Sequence, residues 1–433
     1  MEHSSEKAYE KINQSPSERH LPRKGFVPAI IFIVFALSMS GPALSLLTRE
    51  MATTFFGSAT QATVGITTQL STISNAVQVA AGVIMGVLAV RFRHKSLLMA
   101  GILLSIIANA GAYLAPTFLW MQVFFAIGGA AGLMVGVMAV TLFGDSLPLN
   151  RKAKAVSYLV TAFYLAVFVG SPIISFLVNL GGWRYIYLLL GLPTAAAALA
   201  VSYFGIPFTS HAHQPSIGRA KYVRSFRQVL SNKSAVSCLF GSLFFTGITI
   251  GLFAINFFRQ QFWSELPPLL QAQYSSYIVM AGTLTFAVGG LAAGRLTDKF
   301  GAKTLTVVGA LGDGIFIILL FLAPNFWAAL AFDFLHMWFA AMAITTLACL
   351  SLDQVPSSRG TMISLRNSFT NIGNTIAPAI GGALLIWYSY PALGLALGAM
   401  SIIASAIILF IAKDPTKAWR EGEKTKNPQA HGG

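Results

Sequence analysis

Apolar stretches of about 20 residues, the length a helix needs to cross roughly 30 Å of hydrocarbon at 1.5 Å per residue, recur along this chain at short intervals. They predict spans at 26–48, 62–90, 96–115, 119–144, 155–178 and 184–206, then at 234–262, 274–297, 304–323, 326–350, 361–387 and 391–412. The expected fold is an all-α integral membrane protein of twelve transmembrane helices in two pseudo-symmetric six-helix bundles. Its parts are an N-terminal tail (1–25), a first bundle (26–206), a linker (207–233), a second bundle (234–412) and a C-terminal tail (413–433). The first 25 residues are polar and lack the apolar core of a cleavable signal, so the first span is expected to stay as a helix.

Composition strengthens this picture. The chain is 55% hydrophobic and 10% charged, against about 25% charged in a typical soluble domain. Both cysteines, Cys238 and Cys349, fall inside predicted spans, which leaves no disulfide framework and no metal-ligand spacing to read. The net charge of +15 could suggest nucleic acid, but the basic residues sit in alternate loops between apolar spans. With an inside N terminus, only Arg49, Arg184 and Arg259 of the 29 Lys and Arg face outward. Both termini are then cytoplasmic and the chain is multi-pass in the plasma membrane. Trp120, Trp183, Trp263, Trp327 and Trp387 all fall at outer helix ends, as an interfacial aromatic belt would place them. The linker carries Arg219, Lys221, Arg224, Arg227 and Lys233. It reads either as a positive-inside anchor or as an amphipathic helix lying on anionic lipid.

Internal repetition divides the chain. Gly86-x-Leu88-x-Val90-Arg91-x-Arg93-x-Lys95 after the second span matches Gly294-x-Leu296-Thr-Asp298-Lys299-x-Gly301-x-Lys303 after the eighth. Asp145-x-x-Pro148-x-x-Arg151 matches Asp353-x-x-Pro356-x-x-Arg359 at the same offset. Pro172 in span five and Pro378 in span eleven pair at an offset two residues shorter.

The segment Gly294–Lys303 resembles the loop motif Gly-x-Leu-Ala-Asp-Arg-x-Gly-Arg-Lys of the major facilitator superfamily, and the resemblance covers nearly the whole chain. It implies two parallel repeats about an axis along the membrane normal. It also implies that Asp298 sits against a neighbouring helix N terminus and joins a cytoplasmic charge cluster locking one access state, with Asp353 and Arg359 as partners and Lys299 and Lys303 around them. Packing and topology alone are the other reading, in which Gly294 lets two helix backbones approach closely. The first copy has Val90 for the aspartate and Arg93 for the second glycine, so Arg91, Lys95, Asp145 and Arg151 would form at most a weaker cluster. Gly373-x-x-x-Ala377-Pro378-x-x-Gly381-Gly382 is similar to a helix motif of antiporters in this superfamily, and Gly170-Ser171-Pro172 is its reduced counterpart. Small residues beside a proline permit a kink and tight packing.

Ionisable groups inside spans mark function by default, because charge in hydrocarbon must be paired or face water. Asp333 and His336, at i and i+3 in span ten, share a helix face and are the leading proton-coupling candidates; a mutually satisfying structural pair is the alternative. Asp313 lies among Gly309, Gly312 and Gly314 in span nine, which the resemblance places at the periphery. Arg366 and Arg259 could each hold an anion, with snorkelling to the interface favoured for Arg259. The family architecture makes Ser38, Ser40, Tyr158, Thr161, Tyr164, Thr246, Thr249, Asn256, Asn367, Asn371 and Asn374 candidate cavity contacts. Span two carries Gln69, Asn75 and Gln78, more amide than lipid exposure tolerates, so one face there lines the cavity or a helix contact.

There is no phosphate-binding loop and no catalytic or metal-ligating set, so neither an ATP-driven pump nor a membrane enzyme is expected, and no cofactor or metal. The leading expectation is a monomeric secondary transporter working by alternating access, coupling protons to efflux of a lipophilic or amphiphilic small-molecule substrate in the lipid bilayer. Proton-coupled uptake of a small organic solute or anion stands as an alternative, as does a membrane sensor or assembly partner that transports nothing.

Overall fold

The structure, a computed structural model, describes residues 25–146, 149–206, 219–245, 247 and 249–414. Among them every regular element is helical. The first half comprises α1 (Phe26–Ser38), α2 (Ala43–Phe56), α3 (Gln61–Arg91), α4 (His94–Leu114), α5 (Phe118–Ser146) and α6 (Leu149–Gly181). It ends with α7 (Arg184–Ile186), which runs through a π-helical turn (Tyr187–Gly191) into α8 (Leu192–Gly205). The linker forms α9 (Arg219–Ser231). The second half comprises α10 (Lys233–Phe244), α11 (Ile250–Gln261), α12 (Pro268–Phe300), α13 (Ala302–Phe321), α14 (Phe326–Gln354), α15 (Arg359–Trp387) and α16 (Tyr390–Ile411).

Among the described residues ten segments are long and apolar enough to cross a membrane. The other two predicted spans differ in kind. Helix α3 is 31 residues long but rich in Gln, Thr, Ser and Asn, and the seventh span is split into α10 and α11, 12 residues each.

Spans one and seven are broken at matching places. In the first, Pro42 has no N–H to continue a helix, and the Ser38 carbonyl accepts the Gly41 N–H at 2.9 Å instead. The helix then resumes to Phe56, so Arg49 and Glu50 lie within α2 and not in a loop. Each break is packed by a glycine of a long helix. A Cβ at Gly170 would strike the backbone of Met39, and one at Gly373 would strike the backbone of Leu243. Pro172 and Pro378 sit inside the continuous helices α6 and α15.

At the helix ends remote from the chain termini, one apolar core runs through both halves, from Leu46, Leu47 and Leu70 to Phe253, Phe258 and Leu385. Towards the termini that core divides. One cluster there belongs to the first half (Phe26, Ile30, Leu98, Phe143), and another to the second half and α9 (Val229, Leu239, Leu350, Ile408). Among the described residues the halves therefore share one core at the remote end and have separate cores at the terminal end.

Two expectations change. Trp183 and Trp263 are buried in the shared core, whereas Trp120, Trp327 and Trp387 are exposed as a belt requires. Hydropathy puts all five at helix ends, but only packing decides which face inward. Gly294 makes no close helix approach: a Cβ there would meet nothing within 4 Å, because it lies where the halves have parted. Gly301, in contrast, is required by its backbone, with φ at +86° between α12 and α13. Arg93, its counterpart in the first half, sits in extended backbone at φ −64°, so that turn needs no glycine.

Candidate functional site

Asp313 is fully buried because glycines surround it. A Cβ at Gly309 would press on the Ala343 backbone, one at Gly312 on the Phe339 ring, and one at Gly314 on the Gly398 carbonyl. These contacts seat α13 tightly between α14 and α16. On α14, which follows antiparallel, His336 Nδ1 lies 2.7 Å from Asp313 Oδ1, with neither side chain exposed. The sequence pairs His336 with Asp333; the structure pairs it with Asp313. Sharing a helix face brings Asp333 near, but the facing helix presents the oxygen that reaches the ring. Asp333 is buried one turn away, and Asp333 Oδ1, Asp313 Oδ2 and His336 Nε2 have no hydrogen-bond partner among the described residues.

Two carboxylates and one imidazole thus share a buried region of the second half. An imidazolium can neutralise one carboxylate; a further proton is needed to neutralise the other. Gly247, between α10 and α11, lies against this cluster, since a Cβ there would come 2.9 Å from Asp313 Oδ1.

The contact between the halves is polar as well as apolar. Arg259 of α11 is buried, not snorkelling. Its guanidinium donates from both Nη atoms to Glu50 of α2, at 2.5 and 3.1 Å, and to the Leu46 carbonyl at 2.9 Å. Sequence reasoning passed over Glu50, yet a signal existed: Glu50 and Arg259 are 209 residues apart, within one residue of the offset relating the loop motifs. Equivalent helices of parallel repeats face each other across the shared axis.

Helix α3 uses its amides here. Asn75 Nδ2 donates to the Asn374 carbonyl at 2.8 Å, and Gln69 Nε2 to the Ala379 carbonyl at 3.3 Å. Gly65 and Gly382 permit this approach, each lying where a Cβ on the other would meet its carbonyl oxygen at 2.7 Å. On the other seam, the rings of Tyr164 in α6 and Phe286 in α12 have centroids 5.1 Å apart.

The remaining cavity candidates are dispersed. Ser38 and Ser40 line a cavity of about 480 Å³ inside the first half. Tyr158, Thr161 and Asn367 are exposed, while Arg366, Asn371 and Asn374 are half-buried. Thr249 is buried beside the helix break, and Asn256 is wholly buried with its amide donating to the Leu252 carbonyl of its own helix at 2.9 Å. Thr246 and the side chains of Arg91, Asp145, Arg151 and Asp298 lie outside the described residues.

Around the proposed lock, Lys299 is exposed with its ammonium over the Phe300 ring, and Asp353 and Arg359 form no ion pair among the described residues. Lys95 is buried, donating to the carbonyls of Tyr203 (2.8 Å) and Ile206 (2.5 Å). It caps the C-terminal end of α8, where a cation is favoured.

Two repeated helical halves, sealed at one end, parted at the other and holding buried titratable groups, define a membrane transporter. The profile of the Major Facilitator Superfamily matches residues 26–275 and 248–430, and the chain belongs to that superfamily, a family of transporters and not of enzymes. The multidrug resistance protein MdtL of Vibrio parahaemolyticus is 27% identical over 168 residues, 37% of this chain and 40% of that protein, so the chain matches less than half of that relative's length. The cis,cis-muconate transport protein of Acinetobacter baylyi is 23% identical over 313 residues, 68% of this chain and 72% of that protein. Among solved structures, a D-xylose-proton symporter superposes with a TM-score of 0.73 at 16% identity, covering 90% of this chain and 98% of its own. A bacterial homolog of the human lysosomal transporter Spinster, inward-facing and occupied, gives 0.69 at 16% identity, covering 89% and 96%. At such identities these likenesses concern the fold.

Proposed function

We propose that this chain is a monomeric, proton-coupled secondary transporter of twelve crossings, working by alternating access and exporting lipophilic or amphiphilic small molecules across the plasma membrane. The observation that carries this reading is the buried Asp313–His336 pair with Asp333 one turn away. It is a proton-accepting cluster inside the half that also contains the broken seventh span. Proton loading would alter the charge held beneath Gly247 and so favour one shape of the α10–α11 break. With both termini in the cytoplasm, as the distribution of Lys and Arg supports, the parted end faces inward and Glu50–Arg259 closes the outer end. In the outward-open state the parted ends would close on the Asp298 lock. The partial match to a protein named for multidrug resistance favours efflux.

Proteoliposomes with an imposed pH gradient test this reading. Substrate-driven alkalinisation of an acidic interior supports antiport, whereas no flux across a panel of lipophilic compounds would remove it.

Uptake of an organic anion is a second reading, favoured by Arg366 of α15. That guanidinium is half-buried and has no carboxylate partner among the described residues, and one relative is named for transport of cis,cis-muconate. Solute moving with the proton, and lost in Arg366→Gln, would establish uptake instead.

A further inference from the structure

The cavity of about 480 Å³ lies within the first half, and its lining residues all fall between Val34 and Tyr187. None of them is charged. The space exists because the face of α5 carries glycine: Cβ atoms at Gly132 and Gly136 would meet nothing within 4 Å. Its wall includes the break of span one at Ser38, Ser40 and Gly41, together with Gln78 of α3 and Asn109 of α4. Tyr187, at 7% exposure, also lines it, with its hydroxyl turned out of the open space and without a hydrogen-bond partner among the described residues. That tyrosine stands at the start of the π-helical turn Tyr187–Gly191, a local winding often found at functional sites.

We infer that this cavity is a binding site for a neutral, largely apolar small molecule carrying one polar atom that hydrogen-bonds the Gln78 amide. The volume suits a compact organic ligand. The uncharged lining excludes an ion, which would lose its hydration without compensation. The site is also joined to the contact between the halves. Gln78 Nε2 donates to Asn75 Oδ1 at 3.2 Å, and Asn75 donates onward to the Asn374 carbonyl of α15. An occupant that engages Gln78 pulls on that chain and biases the closed seam, which divides the labour: solute in the first half, proton in the second. The role of this occupant as cargo rests on the transport reading above; the site itself does not.

Benzophenone, a neutral aromatic ketone that photolabels neighbouring C–H groups, is the probe. The full chain in nanodiscs is irradiated over a concentration series, and adducts are mapped by peptide mass spectrometry. Saturable labelling of 124–136 and 34–44 is expected, falling at least tenfold in Gly132→Leu and Gly136→Leu, which fill the space. Gly132→Ala, which barely does, should label as the unaltered chain and shows that α5 tolerates substitution. In Gln78→Leu the half-saturating concentration should rise roughly two- to tenfold, the worth of one hydrogen bond. Labelling that does not saturate, or that is equal in Gly132→Leu and the unaltered chain, overturns the site even if pH-driven flux persists. Saturable labelling in a protein that moves nothing sustains the site and removes the transport reading.

Discussion

Asn75 of the first half donates to the carbonyl of Asn374 in the second, and that carbonyl is the one Pro378 leaves free. In an α-helix the carbonyl of residue 374 would accept from the N–H of residue 378, and proline has none. The proline therefore exposes an acceptor inside the protein, and an amide from the opposite half satisfies it at 2.8 Å. Pro378 and Gly382 thus serve one purpose, a free acceptor beside a close helix approach, while Gly373 and Gly381 pack against Leu243 and Phe253 of their own half.

This pairing predicts a thermodynamic coupling. Asn75→Ala should destabilise the sealed state by about 1–3 kcal/mol, the cost of an unsatisfied buried carbonyl. In Pro378→Ala the helix supplies its own donor, and the same change should then cost less than about 1 kcal/mol. A double-mutant cycle on thermal unfolding reads the difference; additive effects would show that the two residues are independent.

Glu50 and Arg259 hold the remote ends of α2 and α11 together, and Arg259 is buried at 3% exposure while Glu50 keeps partial access. Removing Glu50 leaves a cation without its partner in the core. Glu50→Gln should weaken the sealed state by about 2–3 kcal/mol and speed maleimide modification of a cysteine placed at Leu46, with Cys238 and Cys349 replaced by serine. The exchanged pair Glu50→Arg with Arg259→Glu should restore protection. Unchanged modification rates in Glu50→Gln would show that the seal does not depend on this pair.

For the buried cluster, His336→Ala and Asp313→Asn should each reduce pH-driven flux at least tenfold while leaving solute exchange without a gradient within a few-fold. Asp333→Asn separates the two carboxylates: loss of coupling there as well makes all three groups the proton site. If coupling survives every one of these changes, the cluster is structural only.

Two turns that match in sequence should respond differently to substitution. Gly301→Ala forces an L-residue to φ +86° and ψ 149° and should cost about 1–3 kcal/mol. Arg93→Gly, at an extended position, should change stability by less than about 1 kcal/mol. Thermal unfolding of both variants checks this, and equal effects would refute the backbone argument.

Much of the fold was legible before any coordinates, because hydropathy and repetition are local properties of a chain. Most helix bounds fall within a few residues of the predicted spans, and the equivalence of the two halves reappears in the paired breaks at Met39 and Leu243. Periodicity placed Asp333 and His336 on one face of one helix. It could not say which helix stood opposite, and so missed that Asp313 is the group His336 meets. The same gap hid the burial of Arg259, Trp183 and Trp263. Partners across helices depend on crossing angle, register and the glycines that set the distance between axes, and these emerge only when all the helices pack at once. The apolar pattern thus determined where the long helices run. Which end of the cleft is closed, which charges meet and where a cavity remains were decided by tertiary packing, since each depends on contacts between residues far apart along the chain.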